Sequence, residues 1–476
     1  MARLTVKLDI PEEFVLAAGF AVRELVHRMG FGVSQESRPT ADILYSASCE
    51  GKSYRAYVRF DPSLYEPSTR CQGRRIGGRL LWCASGSDPL AVDIIGGAYR
   101  LLTSQDEHHV SEADRDRRGV FLTTALDPER QKTIADPLVE AHAEFLGDLL
   151  KNSTPELARF AVPLWPDKKQ YALVLTHDVD HVDAGAPAEL ATSVVKAVLR
   201  RDRQHWDMFL LGAPYLFRPR SNPFFRFPWW RDWERERNLR SAFYFFFRPA
   251  GVAFDKNDCK SSVAGRAADW TLFRAMADEG WEFGIHASIH TKETPGAFRA
   301  AREWLEQKLG RSVAGIRHHY FALDWRSRAR THCQHAQAGF RYDSSIAWRD
   351  RAGFRTGTSL PYQAYDPASG QTLPLTVLPC SIMDNHILCS DVAGARVALP
   401  EAVARAAEVI DNTKRYRGVL VFNWHQESAC NKLIFDSYTS ILEGIISTLD
   451  LGNAWIGTPA ELCSYWNQRI ERLYAA

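Results

Sequence analysis

The stretch Tyr171–Asp183 (YALVLTHDVDHVD) decides how the rest of the chain is read. Tyr171-Ala172-Leu173-Val174-Leu175 is a short apolar run of β-forming residues, long enough for one buried strand. It ends in Thr176-His177-Asp178-Val179-Asp180-His181, where four of the six side chains are ionisable. Asp178 and Asp180 stand two residues apart, so in an extended chain both carboxylates point to one side. Like charges that close disfavour each other unless a cation or a shared proton offsets them, and a metal ion is the natural offset. Turn residues and helix N-caps also supply aspartates after strands. The metal reading therefore depends on what the other strands deliver.

From residue 168 onward, short apolar strands alternate with helical stretches, the mark of a parallel α/β sheet or barrel. Ala242–Phe247 (AFYFFF) is a second strand, and Trp281–His286 a third that runs into His286-Ala287-Ser288-Ile289-His290. Two histidines at i and i+4 share a face if this piece is a helical turn, and both rings then reach one ion. A metalloprotease helix would carry glutamate directly after the first histidine; Ala287 stands there, so the base comes from elsewhere and Asp178 is the supplier. Val313–Arg317 is a fourth strand, and an arginine at its end can hold a carboxylate by a bidentate contact. A fifth strand ends at Asp343, a sixth (Leu373–Pro379) is followed by Asp384 and His386, and a seventh ends at His425. Polar groups gathered in order at successive strand ends are what a (β/α) barrel offers a reaction.

Residues 1–165 read as a separate, smaller mixed α/β domain, with strands at Asp42–Tyr45, Tyr54–Phe60 and Leu80–Cys83 and helices at Asp93–Leu102 and Asp136–Leu150. The prolines of Asn152–Asp167 mark the boundary, leaving 166–476 for the barrel. The aromatic segment Phe217–Trp233 suits either a sugar-stacking surface or core. A net charge of +2 from 59 basic and 57 acidic residues gives no bulk attraction to nucleic acid. No apolar run of about 18 residues suggests a membrane span. The opening MARLTVKLDIPEEF has no apolar core of a secretory signal, and the nine scattered cysteines form no CxxC pair, so a cytoplasmic location is expected.

The order THDVD, HASIH, RHHY, FRYDSS, NWH resembles the polysaccharide deacetylases of the NodB-homology superfamily over roughly residues 168–460. The resemblance implies a distorted (β/α) barrel and a divalent ion that serves removal of N- or O-linked acyl groups. It implies that Asp178 is the general base, Asp180 the metal aspartate of a D-x-D variant, and His286 and His290 the other metal ligands. It further implies that Arg317 steadies the base, that the Tyr320 backbone N–H helps bind the oxyanion, and that His425 is the general acid. The family's usual proline two residues after that arginine is His319 here. Asp343 and Trp348 are the expected substrate contacts, while Asp343 and Asp384 both remain candidates to hold His425 charged. A site of two imidazoles and one carboxylate suits zinc first, with cobalt, nickel or manganese as alternatives. The expected substrate is an N-acylated sugar, nucleotide- or lipid-linked, or an oligosaccharide precursor of surface polysaccharide. Rival readings are another amidohydrolase on the same barrel, removing a formyl group or opening a cyclic amide, and a catalytically silent carbohydrate-binding protein.

Overall fold

The structure, a computed structural model, describes residues 3–35, 40–86, 88, 92–201, 203–256, 258–388, 398–433 and 436–475. The amino-terminal part holds a four-stranded sheet of β1 (Arg3–Asp9), β2 (Gly32–Gln35), β3 (Thr40–Ser46) and β4 (Ser53–Arg59), in the order β2-β1-β3-β4. A hairpin of β5 (Cys71–Ile76) and β6 (Arg79–Ala84) follows. Beyond the elements read from the sequence, this part holds β1, the helix Glu12–Met29, β2 and β5. That helix carries Glu12 and Glu13 in its first turn and His27 and Arg28 in its last, so its charges oppose its dipole. It stops at Gly30, which takes the left-handed conformation at φ 89°. A Cβ there would also lie 2.4 Å from the Val162 carbonyl oxygen, so glycine is required twice over.

The larger sheet is the distorted (β/α) barrel. Its strands are β7 (Tyr171–Val179), β8 (Ser241–Phe247), β9 (Glu282–Ala287), β10 (Gly315–His318) and β11 (Tyr342–Asp343), then β12 (Tyr362–Asp366), β13 (Gln371–Val377), β14 (Ile382–Met383), β15 (Val419–Asn423) and β16 (Ala454–Ile456). They run in the order β12-β13-β11-β10-β9-β8-β7-β15-β14, with β16 on the start of β7. All neighbours from β13 to β14 along this path are parallel; only β12 is antiparallel. Every residue of β7 is buried, as expected of a strand covered on both faces. Closure comes from the chain between β13 and β14. Leu378 N–H donates to the Asp343 carbonyl at 2.8 Å, and three residues on Ser381 N–H donates to the Val421 carbonyl at 3.3 Å. One segment thus leaves the β11 side and joins the β15 side, bringing Asp384 under β15.

The aromatic segment after β7 belongs mainly to the interior. Phe224, Phe227 and Trp230 are buried, and Trp230 packs 4.2 Å from the His177 ring. The buried Glu234 accepts hydrogen bonds from Ser241 and Trp281 and lies 2.8 Å from His177 Nε2, which ties the starts of β8 and β9 to β7. His177, one of the four ionisable residues of the opening stretch, is therefore a core histidine.

Both parts of the chain contribute to one hydrophobic core. Phe20 stacks on Tyr365 at 4.4 Å, and Arg355 donates twice to Glu107 at 2.8 Å. No helix among the described residues is long and apolar enough to cross a membrane.

Candidate active site

Asp178 lies near the carboxyl end of β7, buried between neighbours on two other strands. Its Oδ1 accepts from Arg317 Nη1 at 3.0 Å and its Oδ2 from Asn423 Nδ2 at 2.8 Å. Arg317 is itself fixed by the Ser344 carbonyl, the Ser344 hydroxyl and Thr176 Oγ1, all within 2.9 Å. Burial pushes the Asp178 carboxyl up, but His286, Arg317 and His425 outweigh it and hold the group below the usual carboxylate range. The side chain is ionised and rigidly placed.

Asp180 follows two residues on, outside the strand. Its Oδ1 lies 3.3 Å from His286 Nε2 and 3.4 Å from His319 Nδ1, and those two nitrogens are 3.1 Å apart. Asp180 Oδ1 is buried and makes no hydrogen bond. Desolvation opposes its charge, yet His319 and His286 hold the carboxyl well below its ordinary value. Asp180, Cys259 and His319 each present a potential ligand atom, all within 4.8 Å of one another. The donor set of carboxylate oxygen, imidazole nitrogen and sulfur, with an orphaned oxygen at its centre, fits a divalent ion.

His290 sits elsewhere. β9 stays extended to Ala287, and His290 precedes a short turn at Thr291–Glu293, so the four-residue spacing is not that of a helical turn. Its Nδ1 lies 2.8 Å from Glu293 and its Nε2 3.4 Å from Asp255.

His425 stands across the cleft just past β15. Its Nδ1 lies 2.9 Å from Asp384 Oδ1, its backbone N–H donates to Asp384 Oδ2 at 2.8 Å, and its Nε2 is 3.8 Å from Asp180 Oδ2. Burial works against a charged imidazole here, but Asp384 overcomes it and keeps the proton on well above the usual histidine range. Asp384 rather than Asp343 is thus the partner of His425. Asp343, the last residue of β11, is fully buried, and it accepts from Ser345 N–H and the Ser345 hydroxyl, both at 2.8 Å. Trp348 is 1% exposed and packs with Val110, Phe121, Leu126 and Ile134. Neither residue lines the cleft: Asp343 is taken up by Ser345 and the nearby His335, and Trp348 is packed against the amino-terminal part.

Tyr320 and Phe321 take left-handed conformations at φ 56° and 52°, which cost a side-chain-bearing residue about 1 kcal/mol each. This strained corner turns the chain sharply after His319 and sets Tyr320, 40% exposed, on the cleft rim. Arg118 of the amino-terminal part lies 4.2 Å above the Tyr320 ring. The cleft has a volume of about 360 Å³ and is lined by Asp180, His181, Phe224, Tyr320, Asp384, His425 and Glu427 among others. Asn423, His319 and Cys259 are site residues to which sequence reasoning gave no role. Asn423 adjoins His425, and His319 shares the face of Arg317 by strand alternation, so both carried a signal. Cys259 lies in a stretch with no periodic pattern and carried none.

No family model and no curated protein matches this sequence. Among solved structures, the chain is similar to a provisionally named polysaccharide deacetylase from Mycobacterium smegmatis, with 18% identity and a TM-score of 0.44 over 65% of this chain and 94% of that one. A second provisionally named polysaccharide deacetylase, from Pseudomonas aeruginosa, aligns with 16% identity and a TM-score of 0.39 over 64% and 93%. A polysaccharide deacetylase from Bacillus cereus aligns with 10% identity and a TM-score of 0.29 over 60% and 91%. At these identities and TM-scores the likeness is distant, and the chemistry has to be read from this chain's own side chains.

Proposed function

We propose that the chain is a metal-dependent hydrolase that removes the N-acetyl group of an amino sugar, carried on a nucleotide, a lipid or an oligosaccharide precursor. The observation that carries this reading is the placement of two opposed proton-transfer groups beside Asp180. Asp178 is held ionised on one side, and His425 is held protonated on the other with Nε2 3.8 Å from Asp180. A base and an acid with separated proton affinities are what acyl hydrolysis needs.

A divalent ion held by Asp180 and His286, zinc first and cobalt, nickel or manganese as alternatives, would supply positive charge to polarise the acyl carbonyl and acidify water. Asp178 accepts the proton of the attacking water, and its clamp between Arg317 and Asn423 keeps the acceptor oxygen fixed. His425 donates its Nε2 proton to the departing amine, while Asp384 holds the ring by Nδ1. The Tyr320 backbone N–H, set by the strained corner, supports the developing oxyanion, an interaction typically worth about 3 kcal/mol. The aromatic and polar cleft wall formed by Phe224, Tyr320 and His181 suits a sugar ring.

The test is acetate release from N-acetylated amino sugars, run beside N-formyl and cyclic-amide compounds, before and after chelation. Acetate release that stops on chelation and returns with added metal supports the reading. Asp178→Asn is expected to keep the ion and lower kcat by about 10²–10⁴-fold. Full turnover by that variant, or by the chelated protein, would sink the proposal; turnover of only the formyl or ring compounds would move the chain to another amidohydrolase class.

A further inference from the structure

We infer that the third protein ligand of the ion is His319 and not His290, so that Asp180, His286 and His319 together form the ion-binding face. This inference rests on the metal-dependent reading and specifies its site.

Three observations support it. The ligand atoms Asp180 Oδ1, His286 Nε2 and His319 Nδ1 form a triangle with sides of 3.3, 3.4 and 3.1 Å. A tetrahedral ion with nitrogen and oxygen donors at 2.0–2.1 Å sets its ligand atoms about 3.3–3.4 Å apart, so these three atoms already occupy one face of such a site. Both rings also have their other nitrogen turned to an outer partner. His286 Nδ1–H donates to the Arg317 carbonyl at 3.1 Å, and His319 Nε2 lies 3.9 Å from Cys259 Sγ. Ligating histidines are held this way, with one nitrogen on the ion and the other fixed behind it. Third, the buried Asp180 Oδ1 makes no hydrogen bond although two ring nitrogens lie this near, which is the state of an oxygen reserved for an ion.

His290 is engaged with carboxylates instead. Its Nδ1 is 2.8 Å from Glu293, its Nε2 is 3.4 Å from Asp255, and Asp255 also accepts from Arg117 at 2.7 Å. The backbone explains the exchange. The extended end of β10 at His318 carries the chain so that Arg317 and His319, the first residue past the strand, lie on the same side, toward the barrel mouth, while the extended end of β9 delivers only His286 there.

The experiment uses the full-length chain, stripped by chelator and refilled with zinc or cobalt alone, with metal counted by mass spectrometry and the cobalt form followed by visible absorption. The wild type should hold about one ion per chain, His290→Ala should hold the same with an unchanged cobalt spectrum, and His319→Ala should fall to roughly a tenth or less. His319→Asp, which returns an oxygen donor, should bind cobalt with an altered spectrum, and this variant decides the matter if thermal melting shows that His319→Ala does not fold. An emptied His290→Ala, a full His319→Ala, or a cobalt spectrum unmoved by His319→Asp would overturn the assignment. A wild type that takes up no stoichiometric ion would instead remove the metal-dependent reading on which it rests.

Discussion

His318 closes β10 and His319 follows it; the two face opposite sides of the sheet, and each joins a cluster of histidines around one aspartate. His318 turns outward to the helix Arg328–Gln337, where its Nε2 meets His335 Nε2 at 2.9 Å, and His335 Nδ1 lies 3.2 Å from Asp343. His319 turns to the barrel mouth, where it meets His286 and Asp180. Both clusters are largely shielded from solvent and set imidazoles around one aspartate, with His332 as a further imidazole 3.8 Å from Asp343. They differ in the carboxylate. Both Asp343 oxygens accept hydrogen bonds from Ser345, whereas Asp180 Oδ1 accepts none. An unsatisfied buried acceptor costs about 1–3 kcal/mol and more when charged. Asp180 borders a cleft through which a ligand that completes it can arrive.

The comparison is broken most sharply by removing the two aspartates in turn. Asp343→Ala leaves buried partners stranded and should lower folding stability by about 3–5 kcal/mol, while the folded fraction keeps its full metal content. Asp180→Ala should abolish metal binding and turnover with a smaller loss of stability than Asp343→Ala, since Asp180 Oδ1 accepts no hydrogen bond whose donor the change would strand. Denaturant titration beside metal counting on both variants checks this. If Asp343→Ala emptied the metal and left the unfolding midpoint alone, the two clusters would have exchanged roles.

Much of this architecture was legible because buried parallel strands are continuous apolar runs that end abruptly. Tyr171–Leu175, Ala242–Phe247 and Val419–Phe422 all lie in strands of the barrel. What escaped reading depended on local geometry or on distant crossings. Whether His286 and His290 can reach one ion turns on a helical or an extended backbone, since an extended chain sets i and i+4 about 13 Å apart, and HASIH fits both until β9 is seen to run to Ala287. The choice between Asp343 and Asp384 as partner of His425 is made by the crossing between β13 and β14, which no local pattern records. Trp348 carries no mark that separates a sugar platform from a core anchor; the amino-terminal loop residues Val110 and Phe121 that cover it lie more than two hundred positions away.

A sealed histidine away from both clusters tests the cost of keeping such groups neutral. His142, in the amino-terminal part, is fully buried and accepts from Trp82 N–H at 2.8 Å, and burial lowers its pKa to about 3. Its folded value lies below the unfolded value near 6.5, so below that pH the unfolded chain binds a proton that the folded chain refuses. The stabilising contribution is complete above pH 6.5 and fades as pH falls toward 3, by about 1.4 kcal/mol per pH unit. Between pH 6.5 and 4.5 the loss should reach roughly 3 kcal/mol. Urea unfolding at pH 7, 5.5 and 4.5 measures the slope, and His142→Gln should flatten it by the equivalent of one proton. An unchanged slope in that variant would mean that His142 is protonated in the folded chain.

The smallest expected effect concerns the open cluster and asks what Cys259 contributes to it. Its sulfur lies 3.9 Å from His319 Nε2 and within 4.8 Å of an Asp180 carboxylate oxygen, where it can hold the imidazole in orientation. Outer partners of ligating histidines are worth about 10–100-fold in metal affinity, and a long sulfur contact belongs at the lower end. Cys259→Ser should therefore weaken zinc binding by about tenfold in a competition titration, with stoichiometry intact. If the sulfur were instead a ligand, the wild-type cobalt form would show an intense near-ultraviolet thiolate band that serine abolishes. That outcome would make Cys259 a fourth donor and close the position that substrate and water need. An orienting sulfur leaves that position open, so the size of this single affinity change separates a catalytic ion site from a structural one.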